Sequence, residues 1–169
     1  QEVIQKDDKL EKYTEIIINQ SKKLNSHIEQ ILTLAKSDNA PMKMDKKEIA
    51  IFPVLNEVIE NMSLKHPNLI VSIKSDKEYT IEADAFHFTN IVYNLIDNSI
   101  KYCSENPEII ISIYEENKKI RLDFCDNGIG VSNKNINFIF DKFYRIPSVK
   151  SNEVNGFGLG LYYVKKICT

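Results

Sequence analysis

The sequence has few cysteines and no hydrophobic run long enough to cross a bilayer. Its three cysteines, Cys103, Cys125 and Cys168, are far apart and no two form a CxxC pair. That spacing argues against a disulfide framework and a zinc site, and it is typical of a reducing cytoplasm. No apolar run approaches the ~18 residues of a membrane span, and no signal peptide opens the chain. Any membrane segment is therefore expected outside these residues.

An excess of charge of one sign is also lacking. Lys and Arg number 22 against 24 Asp and Glu, a formal net charge of -2. Nucleic-acid-binding domains usually show a basic face, so no nucleic-acid partner is expected. A chain of 169 residues with 43% hydrophobic and 27% charged residues has room for one globular domain with an extension, or for one and a half domains.

Glycine and proline are absent from residues 1–38. Apolar residues recur there three, four or seven positions apart, at Leu10, Tyr13, Ile17, Leu24, Ile28, Ile31 and Ala35. This spacing predicts a long, coiled-coil-like helix that packs on another helix, although a surface helix packed on its own domain remains an alternative. Turn formers and Pro41 end the pattern, which predicts one unit over residues 1–40 and a second over residues 41–169.

In the second unit, strand and helix patterns follow one another without strict alternation. Strands are predicted within residues 42–51, at 70–74 and 79–81, and as a hairpin at 109–114 and 120–124. Helices are predicted at residues 52–64, 85–102, near 136–140, and from 159 onward. Together these elements predict an α+β fold, a two-layer sandwich in which helices cover one face of a mixed β-sheet.

Three asparagines share one face of the predicted helix 85–102. Asn90, Asn94 and Asn98 recur every four residues, and asparagine is a poor helix former, so their presence needs an explanation. A side-chain amide oxygen suits Mg²⁺ when phosphates supply the negative charge. Lys101 is then placed to reach a phosphate and Tyr102 to pack against a base. Surface asparagines without a function remain the alternative.

Two glycine motifs follow. The first motif, DNGIG, begins with Asp126 at the end of a predicted strand. Gly128 and Gly130 allow its backbone to approach a ligand, and the carboxylate can accept a hydrogen bond from an amine. The second motif, GFGLG, contains Gly156, Gly158, Leu159 and Gly160 and opens the last helix, whose free N–H groups favour an anion. Either motif alone is equally consistent with an ordinary turn or a flexible loop.

The order of these motifs is more specific than any one of them. The asparagine helix, the hairpin, DNGIG, FDKFYR and GFGLGL resemble the catalytic domain of sensor histidine kinases over about residues 45–169. That domain belongs to an ATPase superfamily shared with gyrase, the ninety-kilodalton heat-shock chaperones and MutL. KLNSHIEQILTLAK in residues 1–40 resembles the second helix of the family's dimerisation and phosphotransfer domain.

The resemblance implies ATP and Mg²⁺ as ligands and assigns roles by position. Asn98 would coordinate Mg²⁺, Asn94 would line the phosphate side, and no role passes to Asn90. Asp126 would accept from the adenine amine. The other implied positions bind phosphate, stack on adenine, shape the pocket or support and hinge the lid: Lys101, Tyr102, Gly128, Gly130, Phe143, Tyr144, Arg145, Gly156, Gly158, Leu159 and Gly160. Asn94, Asn98, Lys101 and Arg145 form the implied catalytic set.

The chain also departs from the family pattern. The family's accepting histidine precedes an acidic residue and, a few positions later, a proline, and none of His27, His66 or His87 fits. The acceptor is therefore expected upstream, and further strand sequence is expected after the last helix. We expect this chain to bind ATP without phosphorylating itself.

The resemblance further implies a response regulator as partner, a homodimer through the N-terminal helix, and a cytoplasmic catalytic part of a membrane-anchored parent. Two other functions remain open. One is an anti-sigma-factor-type serine kinase of the same superfamily. The other is a nucleotide-gated interaction module without transfer activity.

Overall fold

A computed structural model describes residues 44–103, 105–146 and 157–169, together with Leu10, Tyr13, Thr14, Ile17, Ile18 and Ser21. The chain divides into two compact units, Gln1–Lys43 and Met44–Thr169. The six described residues of the first unit are helical. The rest of the predicted N-terminal helix, including His27, lies outside the described residues.

Helix α1, Ile51–Lys65, follows strand β1, Lys47–Ala50. Its buried residues Ile51, Leu55, Val58 and Met62 are three or four positions apart and face the core. Pro53 fits in the first turn, where the helix needs no N–H from it. The helix ends before Pro67, which disfavours helical geometry at His66.

Helix α2, Ala85–Lys101, begins at Asp84, whose carboxylate accepts a hydrogen bond from the backbone N–H of His87 at 3.2 Å. Phe88, Val92 and Ile96 recur every four residues and are buried. The predicted asparagine face lies two positions further along, about 200° around the helix from this core stripe. One helix therefore supplies both core packing and a separate polar face.

The described residues contain five strands, which form two sheets. Strand β1 pairs antiparallel with β3, Thr80–Ala83. The other three strands form a mixed sheet in the order β2-β4-β5, with β2 at Ile70–Ser75, β4 at Glu108–Glu116 and β5 at Lys119–Asp126. Strand β2 runs parallel to β4, while β5 is antiparallel to it. The predicted mixed sheet is therefore confirmed, with β1 and β3 as a separate ribbon.

The hairpin between β4 and β5 is tighter than predicted. Glu116 pairs directly with Lys119, so the loop has only two residues, Asn117 and Lys118, with φ of 52° and 62°. Two positive φ angles are typical of a type I′ turn, which matches the twist of the flanking strands. At its other end, strand β5 extends to Asp126, which pairs with Ile109 and is therefore the last residue of the strand.

The core lies between the helices and one face of the mixed sheet. Ile109, Ile111 and Ile113 point alternately inward from β4 and are almost completely buried. They pack with the buried faces of α1 and α2 in one cluster. Ile110 points to the opposite face and is exposed. The predicted arrangement of helices over one face of the sheet is thus confirmed.

The short helix predicted near residues 136–140 is not formed. Residues 133–140 make overlapping turns, in which Asn135 and Ile136 both donate to the Ser132 carbonyl. Serine and asparagine side chains compete with the backbone for hydrogen bonds, which disfavours a continuous helix here. The last helix, α3, spans Gly160–Cys168. In the described part of the chain, no helix is both long and apolar enough to cross a membrane.

Candidate functional site

A cavity of ≈ 520 Å³ opens between α2, the end of β5 and the segment before residue 147. Its volume is within the range of small-molecule sites. The cavity is lined by seven of the residues singled out in the sequence: Asn98, Lys101, Tyr102, Asp126, Gly130, Tyr144 and Arg145. Residues that lie up to 47 positions apart thus meet around one space, counting from 98 to 145.

Much of the remaining lining is apolar, which the motifs alone did not reveal. Helix α2 contributes Leu95 and β5 contributes Phe124, and the other apolar side chains are Ile129, Val131, Ile139, Ile146 and Leu161. A flat ring can therefore be enclosed by hydrocarbon while polar groups contact its edge. The sequence signal for these positions is weak, because isolated apolar residues in loops resemble ordinary core residues.

The Asp126 carboxylate is held from two sides. Its Oδ1 atom accepts the backbone N–H of Gly128 at 2.9 Å, and its Oδ2 atom accepts the hydroxyl of Ser99 at 3.1 Å. Ser99 is buried on α2, next to Asn98. Ser99 could not be identified from the sequence, because one serine in a helix carries no distinctive signal.

The DNGIG loop is packed against the end of α2. The backbone N–H of Ile129 donates to the Tyr102 carbonyl at 3.0 Å. A Cβ atom on residue 128 would lie 2.9 Å from that same oxygen, closer than real Cβ contacts allow. Gly128 is therefore required for the close approach of this loop to α2, although it does not line the cavity.

Asn127, which no motif role covered, fixes the same loop to strand β4. Its Oδ1 atom accepts the backbone N–H of Glu108 at 3.0 Å, and its Nδ2 group donates to the Asn106 carbonyl at 3.0 Å. The thiol of Cys103 donates to the same Oδ1 atom at 3.3 Å. Asn127 thus holds the loop in place beside Asp126, which lines the cavity.

The asparagine face does not act as a single unit. Asn90 and Asn94 each donate their amide N–H to the backbone carbonyl four residues earlier, at 2.8 Å. Asn94 lies against α3, where a Cβ atom on residue 160 would come within 2.7 Å of its Oδ1 atom. Only Asn98 of the three lines the cavity. As an amide, it is of the ligand type that suits phosphate-bound Mg²⁺.

Lys101 forms an ion pair with Asp97, one turn earlier on α2. Both side chains are partly exposed, and pairs of this kind contribute only a few tenths of a kcal/mol. A polyanion in the cavity can therefore compete for the ammonium group. Arg145 brings a second cation to the same cavity.

The FDKFYR segment is attached to the glycine motif through the backbone. The N–H of Phe143 donates to the Gly158 carbonyl at 3.0 Å, and both residues have positive φ angles, 65° and 69°. A Cβ atom on residue 158 would lie 2.7 Å from the Tyr144 carbonyl oxygen. The Tyr144 hydroxyl donates to Asn135 Oδ1 at 3.0 Å. Tyr144 thus lines the cavity, whereas Phe143 is largely exposed.

A buried polar contact joins the start of α2 to α3. His87 Nδ1 and the Tyr163 hydroxyl share a hydrogen bond of 2.6 Å, and both residues are buried. Burial, followed by the charge of Asp84, raises the pKa of Tyr163 far above its ordinary value. From the sequence, His87 has no role beyond its poor fit to the pattern of a phosphate-accepting histidine. Its structural partner is 76 residues away.

The remaining predicted site residues lie outside the cavity lining. Gly128, Asn94, Phe143, Gly158 and Gly160 form the packing contacts described above, and Leu159 is buried just before α3. Gly156 lies outside the described residues. The structure thus separates the predicted set into cavity residues and residues that join the surrounding segments.

The sequence profile of the histidine kinase-, DNA gyrase B-, and HSP90-like ATPases matches residues 83–169, just over half of the chain. The chain belongs to this family. The match covers α2, β4, β5 and α3, and hence every described residue of the predicted site. The superfamily inferred from the order of the motifs is therefore confirmed.

Similar proteins are sensor kinases. The sensor protein RprX of Bacteroides fragilis is 34% identical over 157 residues, which cover 90% of this chain and 30% of RprX. The nucleotide-free catalytic domain of histidine kinase ThkA is 25% identical, with a TM-score of 0.61, over 73% of this chain and 80% of that one. The resemblance to sensor histidine kinase catalytic domains is thereby confirmed.

Other solved structures share the fold. Full-length ShkA in complex with AMPPNP has a TM-score of 0.69 at 24% identity, over 86% of this chain and 30% of that one. ThkA in complex with the response regulator protein TrrA has a TM-score of 0.56 at 22% identity, over 80% of this chain and 40% of that one. The chain spans about a third of the length of the curated relatives it matches.

Proposed function

We propose that the cavity binds MgATP and that the chain is the catalytic part of a sensor histidine kinase. The observation that carries this proposal is that Asn98, Asp126 and Arg145, from three separate segments, line one cavity. ATP needs an acceptor for its amine, an apolar slot for its ring, and cations for its phosphates. The described lining contains each of these. The family membership and the ShkA complex with AMPPNP support the same ligand.

Adenine would lie at the Asp126 end. The carboxylate would accept a hydrogen bond from the exocyclic amine, while Tyr102 and the apolar lining enclose the ring. Guanine presents a carbonyl oxygen at the position of that amine, and a carboxylate repels it. Asp126 therefore favours adenine over guanine, and its two existing hydrogen bonds keep the acceptor in place.

The triphosphate would extend toward Lys101 and Arg145. Asn98 would supply an oxygen ligand to the Mg²⁺ that accompanies ATP, and the N–H groups at the start of α3 favour an anion. Asn94 lies against Gly160 and positions that helix start. Phosphoryl transfer depends mainly on positioning and charge neutralisation, which these residues provide without a protein nucleophile.

The γ-phosphate would pass to a histidine outside this chain and then to an aspartate of a response regulator. The ThkA–TrrA complex supports a partner of this kind. We further propose that residues 1–40 are the second helix of the dimerisation domain, that residues 41–169 are the catalytic domain, and that the helix forms a homodimer. The parent would be membrane-anchored outside this chain, with this part in the cytoplasm.

Phosphate transfer in trans tests the proposal. We expect label from γ-labelled ATP to appear on an added histidine-bearing helical hairpin, as an acid-labile and base-stable phosphohistidine, and not on the chain alone. Asn98→Ala should abolish transfer, while Ser72→Ala, on the exposed face of β2, should not affect it.

Each other outcome contradicts a specific part of the proposal. Label on a protein serine would identify an anti-sigma-factor-type kinase. Binding of ATP without transfer to any hairpin would identify a nucleotide-gated interaction module. Label on His27 of the chain itself would show that it carries its own acceptor.

A further inference from the structure

Ser99 occupies an unusual position between the helix and the loop that form the cavity. It is 7% exposed and lines the cavity together with its neighbour Asn98. Its Oγ atom lies 3.1 Å from Asp126 Oδ2 and 3.1 Å from the Leu95 carbonyl oxygen. Both atoms are hydrogen-bond acceptors, and a hydroxyl carries a single proton, so Ser99 can donate a full hydrogen bond to only one of them.

The carboxylate is the favoured acceptor. Hydrogen bonds to an ionised acceptor are about twice as strong as those between neutral groups. The Leu95 carbonyl already accepts the backbone N–H of Ser99 within α2, as each carbonyl inside a helix does. The Ser99 hydroxyl therefore donates to Asp126 and not to the Leu95 carbonyl. This hydrogen bond joins α2 to the end of β5, which are two parts of the site.

The two bonds to Asp126 together determine its orientation. Ser99 binds one carboxylate oxygen from α2, and the backbone N–H of Gly128 binds the other from the loop. Rotation of the carboxylate about its Cβ–Cγ bond would break both. An ionised carboxylate has about four lone-pair sites, so two remain for a ligand. Their direction is set by the two protein donors.

We propose that Ser99 is a positioning residue for adenine recognition, which fixes the Asp126 carboxylate in the plane that accepts the exocyclic amine. The proposal rests on the proposed function, since it needs adenine at Asp126. It adds a residue that acts through Asp126 and has no bond of its own to the base. Its loss should therefore matter only for ligands that carry the amine.

Ligand and protein changes can be combined to isolate this effect. Affinities of MgATP and of magnesium purine riboside triphosphate, which has hydrogen in place of the amine, are measured by calorimetry for wild type, Ser99→Ala and Ser99→Thr. We expect Ser99→Ala to weaken ATP by roughly threefold to tenfold and the analogue by less than twofold. Ser99→Thr, which keeps the hydroxyl, should restore the affinity for ATP.

Two controls accompany the comparison. Ser72→Ala removes an exposed hydroxyl far from Asp126 in sequence and should change neither affinity. Urea unfolding establishes that each variant is folded. If Ser99→Ala does not fold, Ser99→Cys keeps the size of the side chain with a weaker donor and should show the same selective loss for ATP.

The outcomes separate the two proposals. Equal weakening of both nucleotides by Ser99→Ala would assign Ser99 a general structural role and overturn the inference. Unchanged ATP affinity in Ser99→Ala, alongside a clear loss in Asp126→Ala, would overturn it as well and leave the proposed function standing. Failure of the wild type to bind either nucleotide would overturn both proposals.

Discussion

The Oδ1 atom of Asn94 lies 2.7 Å from the place that a Cβ atom would occupy on residue 160. Asn94 is on α2 and Gly160 is the first residue of α3, so the absence of a side chain at 160 lets the two helices meet here. The Asn94 amide is also tied to the Asn90 carbonyl at 2.8 Å and cannot move without losing that bond.

Gly160→Ala is therefore expected to displace the Asn94 side chain and shift the start of α3. This displacement costs stability, but alanine favours a helix more than glycine does. Because the two effects oppose each other, the free energy of unfolding should change by less than about 1 kcal/mol. The affinity for MgATP should fall by roughly tenfold, because the phosphate end of the site moves. Calorimetry and urea unfolding measure the two effects separately.

The double variant Asn94→Ala/Gly160→Ala provides the control. With the amide gone, the added methyl group has space, so Gly160→Ala should have little further effect on nucleotide affinity. Full additivity of the two losses would contradict a steric contact between these residues.

The two glycines with positive φ allow a matched comparison of stability. Gly158 and Gly130 have φ of 69° and 66°, but only residue 158 is crowded, since nothing lies within 4 Å of a Cβ atom on residue 130. Gly130→Ala should cost about 1 kcal/mol, the strain of a left-handed alanine. Gly158→Ala should cost about 2–4 kcal/mol, because overpacking against the Tyr144 carbonyl is added.

Thermal or urea unfolding of both variants checks this difference. The backbone angle is nearly the same in the two, so the excess for Gly158→Ala measures the contact between the GFGLG and FDKFYR segments. Equal losses would contradict the crowding of residue 158 against the FDKFYR segment.

The buried pair of His87 and Tyr163 predicts a pH-dependent stability. Tyr163→Phe leaves His87 Nδ1 without its partner and should cost about 1–3 kcal/mol at neutral pH. Because the pKa of Tyr163 is raised in the folded state, the unfolded chain loses this proton first as the pH increases. The stability that Tyr163 contributes is therefore present in full well below about pH 10, the ordinary tyrosine pKa, and is lost progressively as the pH rises past it.

Urea unfolding of wild type and Tyr163→Phe between pH 7 and pH 11 tests this sign. The stability difference should be constant up to about pH 9 and shrink above it, as expected from the ordinary tyrosine pKa. A difference that grows with alkalinity would contradict a neutral, buried Tyr163.

Local patterns predicted the fold well, because they depend on neighbouring residues. The four-residue repeat of Phe88, Val92 and Ile96 and the alternation of Ile109 with Ile111 each determine an element and its buried face. The turns at residues 133–140 were mistaken for a helix, since their apolar residues have helical spacing while asparagine and serine favour turns.

Contacts between distant segments could not be predicted in the same way. The bonds of Ser99 to Asp126 and of His87 to Tyr163 join residues 27 and 76 positions apart, and neither member of a pair marks its partner. The motifs identified Asp126 and Asn98 as site residues. They gave no indication that Asn127 braces the loop or that Asn94 packs on Gly160.

Nucleotide titration of wild type and Asp126→Ala tests whether this cavity recognises adenine. We expect the wild type to bind MgATP more tightly than MgGTP. Loss of a hydrogen bond to a charged group, about 1.5–3 kcal/mol, should weaken ATP by roughly tenfold to a hundredfold in Asp126→Ala and remove that preference. Unchanged affinity for MgATP in the variant would contradict it.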